Sequence, residues 1–233
     1  MNRDQAWLGY GASVGHCGWS AITSLRKLDR YSILAASSLG VGISLRVLPR
    51  AVIVPGNGCG DVFSANWYAH MKEQLDLSKC FSGVALRPMP DPVQAREAIW
   101  LPFIRDQLRA GPDTVLIGHS SGAEAGMRFL ESSRLLGLVL VSACHTDLGD
   151  EGERRAGYYS RPWDWSSIRA NVQWVLQYHS RDDPFIPVAE AEFVARSIGS
   201  EFSCFEDRSH FFRPADVDSI IQDLVSKGSA QNF

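Results

Sequence analysis

The segment Thr114-Val-Leu-Ile-Gly-His-Ser-Ser-Gly122 joins a short apolar run to a Gly-x-Ser-x-Gly motif. A helix-forming run at 123–130 follows it. A serine placed in this motif between a strand and a helix is typical of a nucleophile elbow, a sharp turn that exposes the hydroxyl. Gly118 and Gly122 lack the Cβ atoms that would keep neighbouring backbone apart. We therefore predict that Ser120 is a nucleophile.

The residue after this serine has a predicted role of its own. At the start of the following helix, the N–H of Ser121 has no partner within the helix, and the helix dipole favours negative charge there. We expect this N–H to stabilise an oxyanion that forms beside Ser120. The pentapeptide by itself also fits a solvated turn, and the strand and helix patterns around it favour the elbow.

Composition places the chain among ordinary globular proteins. It has 233 residues, of which 45% are apolar and 21% charged, as one α/β domain requires. The net charge of −3 gives no reason to expect a nucleic-acid partner. Five scattered cysteines and six histidines show no metal-ligand spacing, so we expect free thiols, no metal and a cytoplasmic location.

Residues 1–50 differ from the rest of the chain in charge. They hold six Lys or Arg and two acids, which gives a net charge of +4. The uncharged run at 31–45 is too short and too rich in serine to span a bilayer. We predict a leader of uncertain order at 1–50, with organelle targeting as the alternative, and an ordered domain at 51–233.

Strand and helix patterns alternate through this domain, which predicts a parallel sheet with helices on both faces. Asp91 and Pro92 suit the N-cap and first position of a helix, and Pro102 interrupts that helix. The predicted strands are 51–54, 84–86, 114–117, 136–142, 172–178 and 201–205, and the predicted helices are 66–75, 91–101, 123–130, 187–198 and 215–227.

Two strand ends carry the groups that a nucleophilic serine needs. Serine requires an imidazole to take its proton and a carboxylate to orient that imidazole. Asp182 and Asp183 follow the strand at 172–178, and His210 follows the strand at 201–205. Spacing alone leaves either aspartate open, and each group also fits a turn or a packing role. His119 is next to the nucleophile, where its side chain should point away, so we expect it to be structural.

A glycine-rich loop, Gly56-Asn-Gly-Cys-Gly-Asp61, follows the first strand. It lacks the endings of phosphate-binding and dinucleotide-binding motifs, so no cofactor is predicted. A loop at this place can supply a second oxyanion N–H. We expect that donor within Asn57, Gly58 and Cys59.

Several segments together resemble the retinoblastoma-binding protein 9 family of small serine hydrolases, within the α/β-hydrolase superfamily. They include Ala51-Val-Ile-Val-Pro-Gly-Asn-Gly58, Met89-Pro-Asp-Pro92, Asp147-Leu-Gly-Asp150 and Asp182-Asp-Pro-Phe185. The resemblance implies a three-layer fold with a mainly parallel sheet and a minimal lid. It places the catalytic triad on Ser120, Asp183 and His210. An L-x-C-x-E element is absent where it would fall, at 108–112, so binding of the retinoblastoma protein is not implied.

The insertion Thr146–Asn171 supplies the remaining candidates for a substrate pocket. Its aromatic side chains could pack in the core or line the pocket, and the candidates are Tyr158, Tyr159, Trp163 and Trp165. We expect small ester or amide substrates, and the resemblance adds aminoacyl ones. Two alternatives remain: a non-catalytic protein-interaction module on a hydrolase scaffold, and an acyltransferase or thioesterase that uses the same triad.

Overall fold

The computed structural model describes residues 48–230. The predicted leader therefore lies outside the described residues, apart from its last three positions. None of the helices in the described span has the length and apolar character that a bilayer crossing requires.

Six strands form one sheet in which every pairing is parallel, as predicted. The order across the sheet is β2-β1-β3-β4-β5-β6, so β3 lies between β1 and β4 near the middle of the sheet. The strands are β1 (Arg50–Val54), β2 (Gly83–Leu86), β3 (Thr114–His119), β4 (Leu135–Val141), β5 (Val172–Ser180) and β6 (Glu201–Phe205).

Seven α-helices connect and cover these strands within residues 48–230. They are α1 (Tyr68–Ser78), α2 (Glu97–Pro102), α3 (Ser121–Leu130), α4 (Glu151–Ala156), α5 (Trp165–Ala170), α6 (Val188–Ile198) and α7 (Asp218–Ala230). A π-helical turn (Phe103–Gln107) extends α2, and a 3₁₀ turn (Pro214–Val217) precedes α7.

The sheet separates two apolar cores because successive side chains of a strand point to opposite faces. In β1, Ala51 and Ile53 join the core that α1 and α7 cover. Val52 and Val54 join the second core, with α2, α3 and α6. Both faces of β1 are thus buried, which explains its continuous apolar sequence. The three-layer α/β-hydrolase architecture is confirmed.

One predicted helix start is wrong. Asp91 does not cap a helix; its backbone is left-handed, with φ of 50°, and it begins a tight turn in which Ala95 N donates to Asp91 O at 2.8 Å. Its carboxylate instead accepts from Arg96 Nε at 2.7 Å. The helix therefore begins six residues later, at Glu97. The predicted break at Pro102 is confirmed, since α2 gives way there to the π-helical turn.

Candidate active site

Ser120 occupies a strained turn between β3 and α3. Its φ of 53° and ψ of −124° lie outside the regions that residues with a Cβ normally adopt. A Cβ on Gly118 would collide with the carbonyl of Gly122, and one on Gly122 would collide with the carbonyl of Val54. The turn thus needs both glycines, as the sequence predicted, and it presents Ser120 at the carboxyl edge of the sheet.

The pairing of His210 distinguishes the two candidate aspartates. His210 Nδ1 lies 2.8 Å from Asp183 Oδ2. Asp182 has another task, because its Oδ1 accepts hydrogen bonds from Ser180 Oγ at 2.5 Å and from Ser209 N at 2.8 Å. Asp182 therefore shapes the loop that carries His210, and Asp183 contacts the imidazole.

Hydrogen bonds keep the Asp183 carboxylate ionised in a buried position. Burial alone would raise its pKa, but the bonds from His210 and from the N–H groups of Phe185 and Ile186 outweigh burial, and the net pKa lies below its ordinary value. The two N–H groups donate to Oδ1 at 3.0 and 3.1 Å. The Ser142 hydroxyl donates to Oδ2 at 2.9 Å. A carboxylate held this way can orient an imidazole and stabilise its cation.

Sequence reasoning missed Ser142. This residue follows β4 directly and has a left-handed φ of 52°. That backbone conformation accompanies the bond from its side chain to Asp183. Its position at a strand end, the same signal that identified Asp183 and His210, could have found it.

Ser120 and His210 line one cavity of about 660 Å³ at the carboxyl edge of the sheet. Among the described residues, their side chains are not hydrogen-bonded to each other; such bonds are often long before substrate binds and tighten with it. Since His210 Nδ1 faces Asp183, its Nε2 is the nitrogen left for the serine. Phe185 stacks edge-on against the His210 ring, with centroids 5.1 Å apart, and limits its rotation.

One oxyanion donor is expected within Asn57, Gly58 and Cys59, and the contacts of this loop exclude Gly58. Gly58 N already donates to Pro92 O at 2.7 Å, so this N–H is not available to a substrate. Cys59 is buried and does not line the cavity. Asn57 does line it, and its side chain donates to Glu153 Oε1 at 2.9 Å. The expected stretch therefore narrows to Asn57, with Ser121 at the first position of α3.

Only one of the four aromatic candidates lines the cavity, namely Tyr159. Tyr158 is fully buried in the second core. Trp163 and Trp165 stack on each other at 5.4 Å, and the Arg128 guanidinium lies 3.7 Å from a ring centroid of Trp163. Of the two alternatives for these aromatic residues, packing in the core describes Tyr158, Trp163 and Trp165.

His119, the residue before the nucleophile, links three parts of the site. Its Nε2 lies 2.9 Å from the His210 carbonyl, which can only accept, so Nε2 carries the proton. Its Nδ1 then accepts from the Tyr68 hydroxyl at 2.7 Å. The Tyr68 oxygen in turn accepts from Gly56 N at 3.0 Å and from Asn66 Nδ2 at 3.1 Å. This chain of bonds connects the glycine-rich loop to the backbone of His210.

Burial, and to a smaller extent the nearby His210, lowers the pKa of His119 to about 3. The ring is therefore neutral at physiological pH, in agreement with its tautomer. The expectation that the His119 side chain points away from the site is wrong, since its ring lies 4.9 Å from that of His210. Its hydrogen bonds are those of a structural residue, and they reach two functional segments.

The described residues hold neither a disulfide nor a group arranged for a metal ion. Their four cysteines have free thiols, and no three His, Cys, Asp or Glu side chains between residues 48 and 230 converge on one point.

Comparisons with known proteins agree with this geometry. The family model described as "Serine hydrolase" matches residues 51–220. The chain belongs to the serine hydrolase family. It is 48% identical to the rat protein Serine hydrolase RBBP9 over 162 residues, which cover 70% of this chain and 87% of the rat protein. The family resemblance drawn from the sequence is thereby confirmed.

Solved structures of lower identity share the fold. The ydeN gene product of Bacillus subtilis superimposes with a TM-score of 0.68 at 23% identity, covering 78% of this chain and all of the bacterial one. Est1E from Butyrivibrio proteoclasticus gives a TM-score of 0.60 at 14% identity, with 79% and 89% covered. These likenesses show the fold alone.

Proposed function

We propose that this serine hydrolase cleaves small carboxylic esters or amides through an acyl-enzyme on Ser120. The observation that carries the proposal is the contact of 2.8 Å between His210 Nδ1 and Asp183 Oδ2. It lies beside the cavity that Ser120 and His210 both line. With Asp183 on Nδ1, the free Nε2 of His210 is the correct atom to accept the serine proton.

The reaction has two halves. His210 takes the proton as the Ser120 oxygen attacks the carbonyl carbon, and it then gives the proton to the leaving alcohol or amine. Water next attacks the acyl-enzyme with the same base, which releases the acid and restores the serine. The N–H groups of Ser121 and Asn57 stabilise both tetrahedral anions, and each such donor typically contributes about 3 kcal/mol.

Cavity size supports small substrates. About 660 Å³ is enough for one small molecule with its acyl and leaving groups. The exposed side chains at its mouth, Leu148, Phe185 and Phe212, are apolar and suit an uncharged leaving group. Aminoacyl esters and amides fall within this range.

Labelling with a fluorophosphonate probe tests the proposal, because the probe reacts only with an activated serine. We expect labelling of the wild-type protein and its loss in Ser120→Ala. Ser121→Ala is the matched control, since it removes the neighbouring hydroxyl and keeps the N–H, and it should still be labelled. A folded wild-type protein that is not labelled, or a Ser120→Ala protein that is, would refute an activated serine at this position.

A further inference from the structure

Glu124 places a carboxyl group inside the cavity of the nucleophile. It lies on α3 four residues after Ser120, and it is 1% exposed. The same cavity is lined by Asp150 and Glu153. No lysine or arginine of the described chain lines it. A substrate in this cavity therefore lies beside carboxyl groups, and no Lys or Arg side chain among the lining residues supplies a positive charge.

The Glu124 carboxyl is buried without a charged partner. Its Oε1 accepts from Cys144 N at 2.9 Å, and further hydrogen bonds come from its own backbone N–H and from the weakly donating Cys144 thiol. No basic side chain of the described residues lies within ion-pair distance of it. Arg128, one turn further along α3, is directed instead to Glu131 and to the carbonyls of Tyr158 and Pro162.

A comparison with Glu190 shows how unusual this is. Both oxygens of Glu190 accept hydrogen bonds, from the N–H groups of His145 and Thr146 and from the Thr146 hydroxyl, and the His145 imidazole lies 2.6 Å away. An ionisable group buried without a charged partner is costly, so a protein retains it where it has such a partner part of the time. Glu124 lines the cavity in which a substrate would bind.

We infer that Glu124 makes this cavity selective for substrates whose acyl group carries a positively charged amine, which pairs with its carboxylate. The inference rests on the proposed function. Burial, and to a smaller extent the negative charge of Glu153, raises the pKa of Glu124 well above its ordinary value. An ammonium group beside it favours the ionised form, so the pair forms when substrate binds. The same wall disfavours anionic acyl donors such as thioesters with phosphate-bearing leaving groups.

Two esters that differ only in the amine test the inference. L-alanine ethyl ester and ethyl 2-methylpropanoate present an ammonium and a methyl group at the same position. We expect wild-type protein to have the higher kcat/KM for the alanine ester. Glu124→Gln keeps the acceptor for Cys144 N and removes the charge, so the ratio of the two kcat/KM values should fall about tenfold or more.

Glu151→Gln is the matched control. It removes the same charge from an exposed residue of α4 that does not line the cavity, and the ratio should not change. A wild-type preference for the uncharged ester, or an unchanged ratio in Glu124→Gln, would overturn the inference. Fluorophosphonate labelling of each variant verifies that it is folded.

A binding measurement separates this inference from the proposed function. Titration calorimetry of Ser120→Ala with each ester detects binding without turnover. Tighter binding of the alanine ester that is lost in the double variant with Glu124→Gln supports the inference, even if the wild-type protein hydrolyses neither ester. Equal affinity for the two esters contradicts it, even if hydrolysis occurs.

Discussion

Two histidines lie side by side in this protein, and their surroundings give them different roles. The rings of His119 and His210 are 4.9 Å apart, and both are buried. His119 has both nitrogens engaged, by the Tyr68 hydroxyl and by the His210 carbonyl. His210 has one nitrogen on the Asp183 carboxylate and the other beside the cavity.

The hydrogen-bond partners of an imidazole, more than its distance from the nucleophile, therefore determine whether it can act as a base. A carboxylate stabilises an imidazolium, whereas a carbonyl and a hydroxyl together fix one neutral tautomer. His119 is adjacent to Ser120 in sequence and yet cannot accept a proton without losing the Tyr68 bond. We expect His119 to be a positioning residue and His210 to be the base, and four experiments test this difference in role.

The largest effect is expected from His210→Ala. Without the base, kcat for ester hydrolysis should fall by about 10⁵- to 10⁶-fold, as is typical when one member of a triad is removed. The measurement is steady-state hydrolysis of p-nitrophenyl acetate, corrected for the uncatalysed rate. Activity within tenfold of wild type would show that another group takes the proton.

Asp183→Asn should follow, with a loss of about 10⁴-fold in kcat. The amide keeps the shape of the side chain but disfavours the imidazolium and the required tautomer. Asp182→Asn is the matched control, because Asp182 does not contact the imidazole. If the two variants lost activity equally, the assignment of Asp183 would be wrong.

His119→Phe should lower kcat by about 10- to 100-fold, since it removes the bond to the His210 carbonyl and leaves the buried Tyr68 hydroxyl without its acceptor. KM should change less than kcat, because the base is displaced while the phenyl ring takes the place of the imidazole in the cavity wall. His119→Gln, which can donate and accept, should recover part of the loss. An equal loss in both variants would argue against positioning through these bonds.

A separate effect of His119 appears in the pH dependence of stability. The pKa of His119 is about 3 in the folded protein and about 6.5 as its ordinary value. Between these values the unfolded chain binds a proton that the folded protein does not, so stability is greatest above pH 6.5 and decreases toward pH 3. The effect amounts to at most about 5 kcal/mol.

Urea unfolding of wild type and His119→Gln at a series of pH values isolates this contribution, because all other titrating groups are common to both. The stability advantage of the wild-type protein should shrink as pH falls from 6.5. A difference that is constant with pH would mean that His119 titrates alike in the folded and unfolded states.

Much of the fold was predictable because the parallel strands are buried on both faces and read as apolar runs. Strand β1 is such a run, and it was predicted to within one residue of its observed bounds. Strand β6 was predicted at its observed bounds although it is only partly buried, and the elbow was predicted from Gly118 and Gly122. The start of α2 was not, since Asp91 suits both an N-cap and a turn, and only the contact with Arg96 decides between them.

The finer parts of the site depend on contacts between distant segments. Asp182 and Asp183 are equivalent in sequence, and the loop geometry separates them. Gly58 is one of three possible oxyanion donors in sequence, and only its bond to the Pro92 carbonyl excludes it. Glu124 lies within the helix pattern of α3, where a single acid is ordinarily solvent-exposed. Its burial in the cavity follows from the rotation of α3 against the sheet, which sequence does not give.

Direct observation of the acyl-enzyme would test whether Ser120 is the nucleophile and His210 its base. Protein mixed with p-nitrophenyl acetate, quenched in acid within the first turnover and digested, can be examined by mass spectrometry. We predict one acetyl group on the peptide that contains Ser120 in wild type, its slower formation in His119→Phe, and its absence in Ser120→Ala and His210→Ala. Acetylation of another residue, or unchanged acetylation of Ser120 in His210→Ala, would contradict the roles assigned to Ser120 and His210.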